Sequence, residues 1–192
     1  MDSHLDMLRE IYPYDSQTRG FTILVRVGHY DDFFNPLDPT PAPACDLAHD
    51  LVEYLNQCSD EIPYKYPVTL SLHVQNSAQD AQREQECLDS LHTFYRHEMF
   101  VSQAEIRRKR GGSIKYLLIS FSCLTISAIS TQLQLEGFFW GLLREAVLIG
   151  GWLFMWEAVT LNFIEMDVHY QEIKKCKRLI GAKLGFTYDQ NP

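Results

Sequence analysis

The chain has 192 residues, of which 46% are hydrophobic and 12% aromatic, and its formal net charge is −8. The aromatic content argues against a disordered chain, and the acidic balance argues against a nucleic-acid partner, because phosphates repel carboxylates. The charge is unevenly spread. Residues 1–106 hold 18 acidic and 6 basic residues, whereas residues 107–192 hold 7 acidic and 11 basic residues. Two physically different regions are therefore expected to meet near position 107.

The cysteines and the N-terminus both favour a cytosolic location for the polar part. The cysteines are odd in number and never spaced as CxxC, which predicts reduced, buried thiols and neither a disulfide framework nor a zinc site. The first residues are acidic and lack a basic flank followed by an apolar stretch, so no cleaved secretory signal is expected. The five cysteines are Cys45, Cys58, Cys87, Cys123 and Cys176.

The first third of the chain predicts a small β-α-β arrangement. Phe21–Tyr30 is rich in β-branched and aromatic residues and predicts a strand, which ends at the proline-rich loop Asp31–Pro43. Apolar residues at helical spacing then predict a helix over Asp46–Gln57, with Asp46 able to cap its first turn. Strict alternation over Tyr66–Gln75 predicts a second strand with one dry and one wet face.

A long amphipathic helix and two apolar runs follow. Apolar positions recur every three or four residues from Ser77 to about Arg110, and the helix is expected to continue up to a membrane. Tyr116–Leu135 holds twenty residues without a charge, about the length that crosses a hydrocarbon core of roughly 30 Å. The connection to the second run, Gln132–Gly137, has no basic residue, whereas clusters of Lys and Arg flank the two runs. This pattern predicts a tight transmembrane hairpin with both termini in the cytosol.

The second apolar run allows two registers. If it begins near Phe138, Arg144 and Glu145 lie about 10 Å below the outer surface and Glu157 lies at the cytosolic exit. If it spans 146–164 instead, the Arg-Glu pair is interfacial and Glu157 is buried. The tryptophans favour the first register, because it puts their rings at the two interfaces.

Charged residues inside a bilayer are costly and call for partners. Arg144 and Glu145 can serve a function by reaching a neighbouring helix or subunit, or they can be structural, with Arg144 snorkelling outwards and Glu145 bonded to the first helix. The first helix offers a stripe of small polar residues that permits close helix packing. The candidate polar residues of the membrane part are Arg144, Glu145, Glu157, Ser127 and Ser130.

Two segments carry a resemblance to a known family. The loop FNPLDPTP at 34–41 and the segment LREAVLIGGWLFMW at 143–156 resemble small uncharacterised bacterial membrane proteins with an FNPLDPxP loop and an LREGxLIGGWxxMW membrane signature. The chain departs from that pattern after Trp156, where Glu157 and Ala158 stand in place of a basic residue and a proline. The resemblance implies two transmembrane helices and a bacterial inner membrane, and it implies no chemistry.

No motif of a known reaction or cofactor is present. There is no Walker loop, no GxGxxG, no GxSxG and no HExxH, and the seven histidines are scattered. His29 with Asp31 and Asp32 can bind a cation at a strand end, but a solvated turn is the favoured interpretation. We therefore predict a protein that is not an enzyme, without catalytic, cofactor-binding or metal-binding residues and without a cofactor.

The fold class predicted is an α+β membrane protein. It comprises a cytosolic β-α-β domain over 1–76, a long cytosolic helix over 77–113, a transmembrane hairpin over 114–165 and a basic cytosolic tail over 166–192.

The leading functional hypothesis is a membrane-anchored interaction or scaffold protein of the bacterial inner membrane. Its expected partners are membrane lipid and either further copies of itself or another membrane protein, with no nucleic acid. The part Asn35–Pro43 of the proline-rich loop is the expected contact surface, because prolines lower the cost of ordering on binding. A rigid connector is the alternative, and favoured, interpretation of the same prolines. The alternatives are an oligomeric pore or membrane effector gated by the cytosolic domain, and an accessory subunit of a larger membrane complex. The candidate contact residues of the loop are Asn35, Leu37 and Asp38.

Overall fold

The computed structural model describes residues 2–132, 137–162 and 166–189, which form five helices and four strands. The mixed α+β character predicted from the sequence is confirmed. The helices are α1 Asp2–Ile11, α2 His49–Glu61, α3 Ala81–Gln132, α4 Phe138–Thr160 and α5 Met166–Ile180. The strands are β1 Tyr14–Asp15, β2 Gly20–Val27, β3 Val68–Val74 and β4 Lys183–Tyr188.

The four strands form one mixed sheet in the order β1-β2-β3-β4. The short strand β1 runs antiparallel to β2, whereas β2, β3 and β4 are parallel to one another. Ile23 lies opposite Leu70, and Leu70 lies opposite Leu184, so these three residues lie in one row on the same face of the sheet. A parallel pair needs a crossover connection, and both crossovers here contain helices.

One face of this sheet forms the core. Every second residue of β3 is buried, from Val68 to Val74, as the alternation predicts, and every second residue of β2 is buried from Phe21 to Val27. These side chains pack against buried residues of α1, α2, α3 and α5, among them Leu55, Tyr95 and Leu179. The opposite face is polar and half-exposed, so the α/β part consists of one layer of helices on one sheet.

Two element boundaries differ from the sequence predictions. Helix α2 begins at His49 and its N-cap is Ala48, so Asp46 does not cap it. The reason is that Leu47 pairs with Phe34 in an isolated bridge, and the carbonyl of Asp46 accepts a bond from the amide of Asn35. Strand β2 ends at Val27 rather than at position 30, because Tyr30–Phe33 turns into a 3₁₀ helix whose start is closed by the Asp32 carboxylate.

The chain divides into two compact units. The first, here called the α/β unit, comprises residues 1–100 and 173–192, and the second, the helical unit, comprises residues 101–172. The segment 166–192, expected to be a basic tail, therefore lies in helix α5 and strand β4 over its described part, and β4 completes the sheet beside β3. The apolar helices α3 and α4 lie, along the chain, in the crossover connection between the neighbouring parallel strands β3 and β4.

Two helices are long and apolar enough to cross a membrane by length and composition. They are α3 and α4, and only 17% of the most apolar stretch of α3 and 6% of that of α4 is buried. Large apolar side chains are exposed along both, including Phe121 at 61%, Leu153 at 69% and Trp156 at 71%. Residues 133–136 of the predicted connection and 163–165 at the end of the second run lie outside the described residues.

Helix α5 is attached to the α/β unit by Arg178. Its guanidinium donates four hydrogen bonds to backbone carbonyls, to Ser59 at 2.8 Å, Ile62 at 2.7 Å, Pro63 at 3.3 Å and Tyr66 at 2.9 Å. The last turn of a helix leaves carbonyls without an intrahelical partner, and a cation there also complements the helix dipole. Burial lowers the pKa of this guanidinium from its ordinary value.

Candidate functional site

The predicted contact loop is closed by its own polar groups. The Asp38 carboxylate accepts bonds from the amides of Thr40 at 3.0 Å and Asp46 at 2.8 Å, and the side chain of Asn35 accepts the amide of Leu37 at 3.0 Å. Hydrogen bonds from Thr40 and from the Asp46 amide lower the pKa of Asp38 to about 2. Asn35 and Asp38 therefore shape the loop, whereas the Leu37 side chain, 89% exposed, is the group that it presents.

The loop also borders a shallow recess of about 340 Å³. On its far side Arg83 of α3 forms ion pairs with Asp31 and, at 3.1 Å, with Glu86. Hydrogen bonding to Glu86 is the main cause of the raised pKa of Arg83. The recess thus combines an apolar, proline-rich wall with a charge that is already neutralised within the protein, which suits an apolar segment of a partner better than an ion.

The helical unit is held together by hydroxyl-to-carbonyl bonds between α3 and α4. The hydroxyl of Ser120 donates to the carbonyl of Gly151 at 2.7 Å, and that of Ser113 donates to the carbonyl of Ala158 at 3.2 Å. The rings of Tyr116 and Phe154 stack with centroids 6.0 Å apart. Small residues at the contact let the two backbones approach closely.

The five candidate polar residues of the membrane part do not converge on one point. Ser127, Ser130 and Arg144 line a common recess of about 90 Å³ between α3 and α4. Glu145 and Glu157 are exposed and do not line it. In the part of the chain that the structure describes, no hydrogen bond or ion pair is found for Arg144, and no bond between Glu145 and the first helix is found.

Ser113 belongs to a polar contact that the sequence analysis missed. Its hydroxyl accepts a hydrogen bond from the side-chain amide of Asn162, which also donates to the carbonyl of Ala158 at 3.1 Å. Ser113 follows two glycines and directly precedes the apolar run, where it reads as an ordinary flanking residue. Ser113 lies seven residues, or about two helical turns, before Ser120, and the two residues therefore share one face of α3. This spacing is the sequence signal that identifies Ser113.

The polar groups at the carboxyl ends of the parallel strands already bond to other groups of this chain. The carboxylate of Asp32 accepts the amide of His29 at 2.9 Å, Asp31 pairs with Arg83, and the His29 ring lies 3.2 Å from the Ser77 hydroxyl. Over the described ranges, no cluster of three His, Cys, Asp or Glu side chains could hold a metal ion.

The thiols of Cys45 and Cys87 are poor nucleophiles. Burial raises the pKa of Cys45 and raises that of Cys87 to about 12. A thiol with so high a pKa is almost fully protonated at neutral pH, and only the thiolate reacts. The environments of these two cysteines therefore suit a structural role and not a reactive one.

No protein-family model, no curated protein and no solved structure matches this chain. The resemblance to small bacterial membrane proteins, carried by the loop at 34–41 and the segment at 143–156, stays a prediction.

Adjacent glycines of α4 provide a matched test of the helix contact. A Cβ atom on Gly151 would lie 3.1 to 3.2 Å from side-chain atoms of Leu124 and Cys123, whereas a Cβ on Gly150 would meet nothing within 4 Å. Overpacking a tight site typically costs about 1–3 kcal/mol. We expect Gly151→Val to lower the free energy of unfolding by about that amount and Gly150→Val to change it much less. Thermal and denaturant unfolding in micelles, followed by tryptophan fluorescence, measures both. Equal losses in the two variants would contradict the close contact at Gly151.

Proposed function

We propose that this chain is an integral membrane protein in which α3 and α4 form a transmembrane hairpin. The observation that carries the proposal is the exposure of large apolar side chains along both helices, as at Leu118, Ile149 and Trp152. A core helix of a soluble protein buries such residues, and apolar patches of this extent are unfavourable in water. In a hydrocarbon core the same side chains are solvated by lipid.

The sheet topology supports placing both ends of the hairpin on one side of the membrane. Strands β3 and β4 are hydrogen-bonded neighbours, and the two apolar helices lie between them in the chain. A folded sheet cannot straddle the hydrocarbon layer, because its backbone and polar side chains need water. The chain must therefore cross an even number of times between β3 and β4, which fits two spans.

Basic residues next to the spans indicate that this side is the cytosol. Arg107–Arg110 and Lys115 precede the first span, and such residues are retained on the cytoplasmic side. Two of the basic residues that follow the second span carry less weight, because Arg178 and Lys175 are bonded inside the α/β unit. The resemblance at the loop and at α4 adds the bacterial inner membrane as the location.

For the biochemical role we propose a non-enzymatic interaction protein. The α/β unit presents a rigid loop with one exposed apolar side chain, Leu37, beside a neutralised recess. A preorganised loop of this kind binds a partner at a low entropic cost. The partner is either another membrane protein, in which case this chain is an accessory subunit, or a further copy of the chain itself.

The topology predicts which engineered cysteines are reachable from outside the cell. In Gln132→Cys, at the last residue of α3, a membrane-impermeant maleimide added to intact cells should label the protein. In Leu37→Cys the same reagent should label only after the membrane is permeabilised. The parent chain gives the background from its own cysteines. Labelling of Leu37→Cys in intact cells, or resistance of both sites until permeabilisation, would contradict the proposed topology.

Leu37 provides the test of the interaction surface. Burying a leucine side chain in an interface contributes about 1.5–3 kcal/mol, so Leu37→Ala should lower recovery of a specific partner about tenfold or more. The full chain is purified in mild detergent and its companions are quantified by mass spectrometry. Glu53→Ala, an exposed position on α2, is the matched control and should leave recovery unchanged. The same companions in equal amounts from all three proteins would exclude this surface.

The recess at Arg144 favours a second candidate, an oligomeric pore. An arginine without a partner among the described residues lies beside Ser127 and Ser130 within an apolar helix pair. A charged side chain in a span is costly unless it faces a partner or water, and a subunit assembly around this recess would supply one. A cationic lining selects anions.

Chloride release from liposomes that contain the purified chain tests the pore. If the pore exists, the parent and Glu145→Gln should release chloride at similar rates, because Glu145 does not line the recess. Arg144→Gln should slow the release about tenfold or more, since it removes the only charge that lines the recess in the described part of the chain. Absence of release from the parent, or equal rates in all three proteins, would contradict the pore and leave the interaction role as proposed.

A further inference from the structure

A basic groove lies on the α/β unit, between the loop that follows α2 and the C-terminal half of α5. Its lysines are Lys65 from the loop and Lys174 and Lys177 from α5, and the rings of Tyr64 and Tyr66 stand beside them. The groove has a volume of about 690 Å³. No acidic residue lines it among the residues described, although the α/β unit as a whole is acidic.

We propose that this groove binds a phosphate-bearing ligand. The first support is the contrast among neighbouring cations on α5. Lys175 is buried and its Nζ lies 2.8 Å from the Asp60 carboxylate, and Arg178 bonds to four carbonyls. Lys174 and Lys177 are exposed, and within the described ranges neither they nor Lys65 forms an ion pair. Two cations of the helix are used by the fold, and the two that point into the groove are not.

The second support is that lysines from separate parts of the chain line the same groove. Positions 174 and 177 lie one turn apart on the same face of α5. Lys65 reaches the groove from a separate element more than one hundred residues away in the chain, and its Nζ lies 4.8 Å from the centre of the Tyr66 ring. Like charges brought together by folding repel one another, so such an arrangement costs stability unless an anion neutralises it.

The third support is that the two walls are fixed relative to each other. Arg178, on the same helix as Lys174 and Lys177, donates to the carbonyls of Pro63 and Tyr66 on either side of Lys65. The backbone positions of the three lysines are therefore set before any ligand arrives. Preorganisation of this kind lowers the entropic cost of binding.

The chemistry of the groove selects phosphate over other anions. Ammonium groups bind phosphate as point charges, and three of them match the double negative charge of a phosphate monoester better than the single charge of a carboxylate. The volume fits a small molecule or a lipid headgroup. A nucleic acid would meet the surrounding acidic surface and be repelled.

Two sources can supply this group, a soluble phosphate ester and the headgroup of an anionic phospholipid. Lys174 comes fourteen residues after the end of α4, which the proposed function places in the membrane. Basic residues close to a span gain about 1 kcal/mol each from an anionic lipid surface. The phosphate-binding proposal itself does not depend on the membrane assignment or on a partner at Leu37.

The experiment uses the full chain in two arms. In the first arm, the protein in neutral detergent micelles is titrated with ATP and with inorganic phosphate, and the rise in unfolding temperature is followed. In the second arm, the protein is placed in nanodiscs of phosphatidylcholine with or without phosphatidylglycerol. The variants are Lys174→Gln with Lys177→Gln, and separately Lys65→Gln on the other wall. Lys183→Gln, an exposed lysine of β4 outside the groove, is the matched control.

The expected result is a rise in unfolding temperature for the parent and for Lys183→Gln in at least one arm. The double variant should bind the soluble probe about 30-fold more weakly, the equivalent of about 1 kcal/mol for each lysine, or should lose most of the rise given by phosphatidylglycerol. Lys65→Gln should show a smaller loss in the same arm. A response to ATP or phosphate identifies a soluble ligand, and a response to phosphatidylglycerol alone identifies a lipid headgroup.

The proposal is overturned if neither probe raises the unfolding temperature of the parent. It is also overturned if the rise is the same in the parent, the double variant and Lys65→Gln. All substituted lysines are exposed, so without ligand the variants should unfold at the parent temperature or slightly above it, because removing a positive charge from the groove relieves repulsion. Failure of the chain to enter nanodiscs would count against the membrane assignment and would leave the micelle arm to decide on the groove.

Discussion

The pairing of β4 with β3 is the constraint on which the rest of the molecule depends. Both strands are parallel neighbours, so the chain must leave the sheet at one end of β3 and return to the other end before β4 can form. In most β-α-β units that return is a single helix packed on the sheet. Here the return contains three helices, the 52-residue α3 and the whole of α4 and α5. The apolar helices are thus an insertion in a crossover, with a connection to the α/β unit at each end.

This arrangement explains why the last helix is so rich in cations. A segment that returns after a long insertion has to be captured by the α/β unit, and local chain connectivity contributes little to that capture. Arg178 and Lys175 supply it, the first by bonding carbonyls in the last turn of α2 and in the loop that follows, and the second by pairing with Asp60. Lys174 and Lys177 each come one position before one of these two, and neither forms an ion pair among the described residues. Helix α5 therefore carries two kinds of basic residue. Lys175 and Arg178 bond inside the α/β unit, and Lys174 and Lys177 are exposed to solvent.

Much of the fold follows from periodicity, and the misses have physical reasons. The alternation in β2 and β3 and the apolar spacing in α3 predict those elements, because each buries one face against the same core. Strand β4 also alternates, with Leu184, Phe186 and Tyr188 on one face. The lysines before it fit a positive flank equally well, so the sequence predicts a tail there. Among the site residues, the motif around Asp38 marks a closed loop, which short-range turn chemistry can predict. The groove at Lys65 could not be predicted, because its walls are separated by more than one hundred residues and meet only through the sheet.

On the membrane assignment proposed above, helix α3 serves two solvents as one continuous element. It has 52 residues, which at about 1.5 Å per residue gives a length of about 78 Å, more than twice the hydrocarbon thickness. Its first part buries Cys87, Leu91 and Tyr95 in the core of the α/β unit, as an amphipathic helix does in water. Its last part exposes apolar side chains such as Leu118 and Phe121, as a span does in lipid. Four consecutive basic residues at 107–110 separate the two parts, and they are the residues that a lipid headgroup region favours. The helix needs no break between its amphipathic part and its apolar part. Its backbone hydrogen bonds are internal and the same in water and in lipid, so only the side chains have to change.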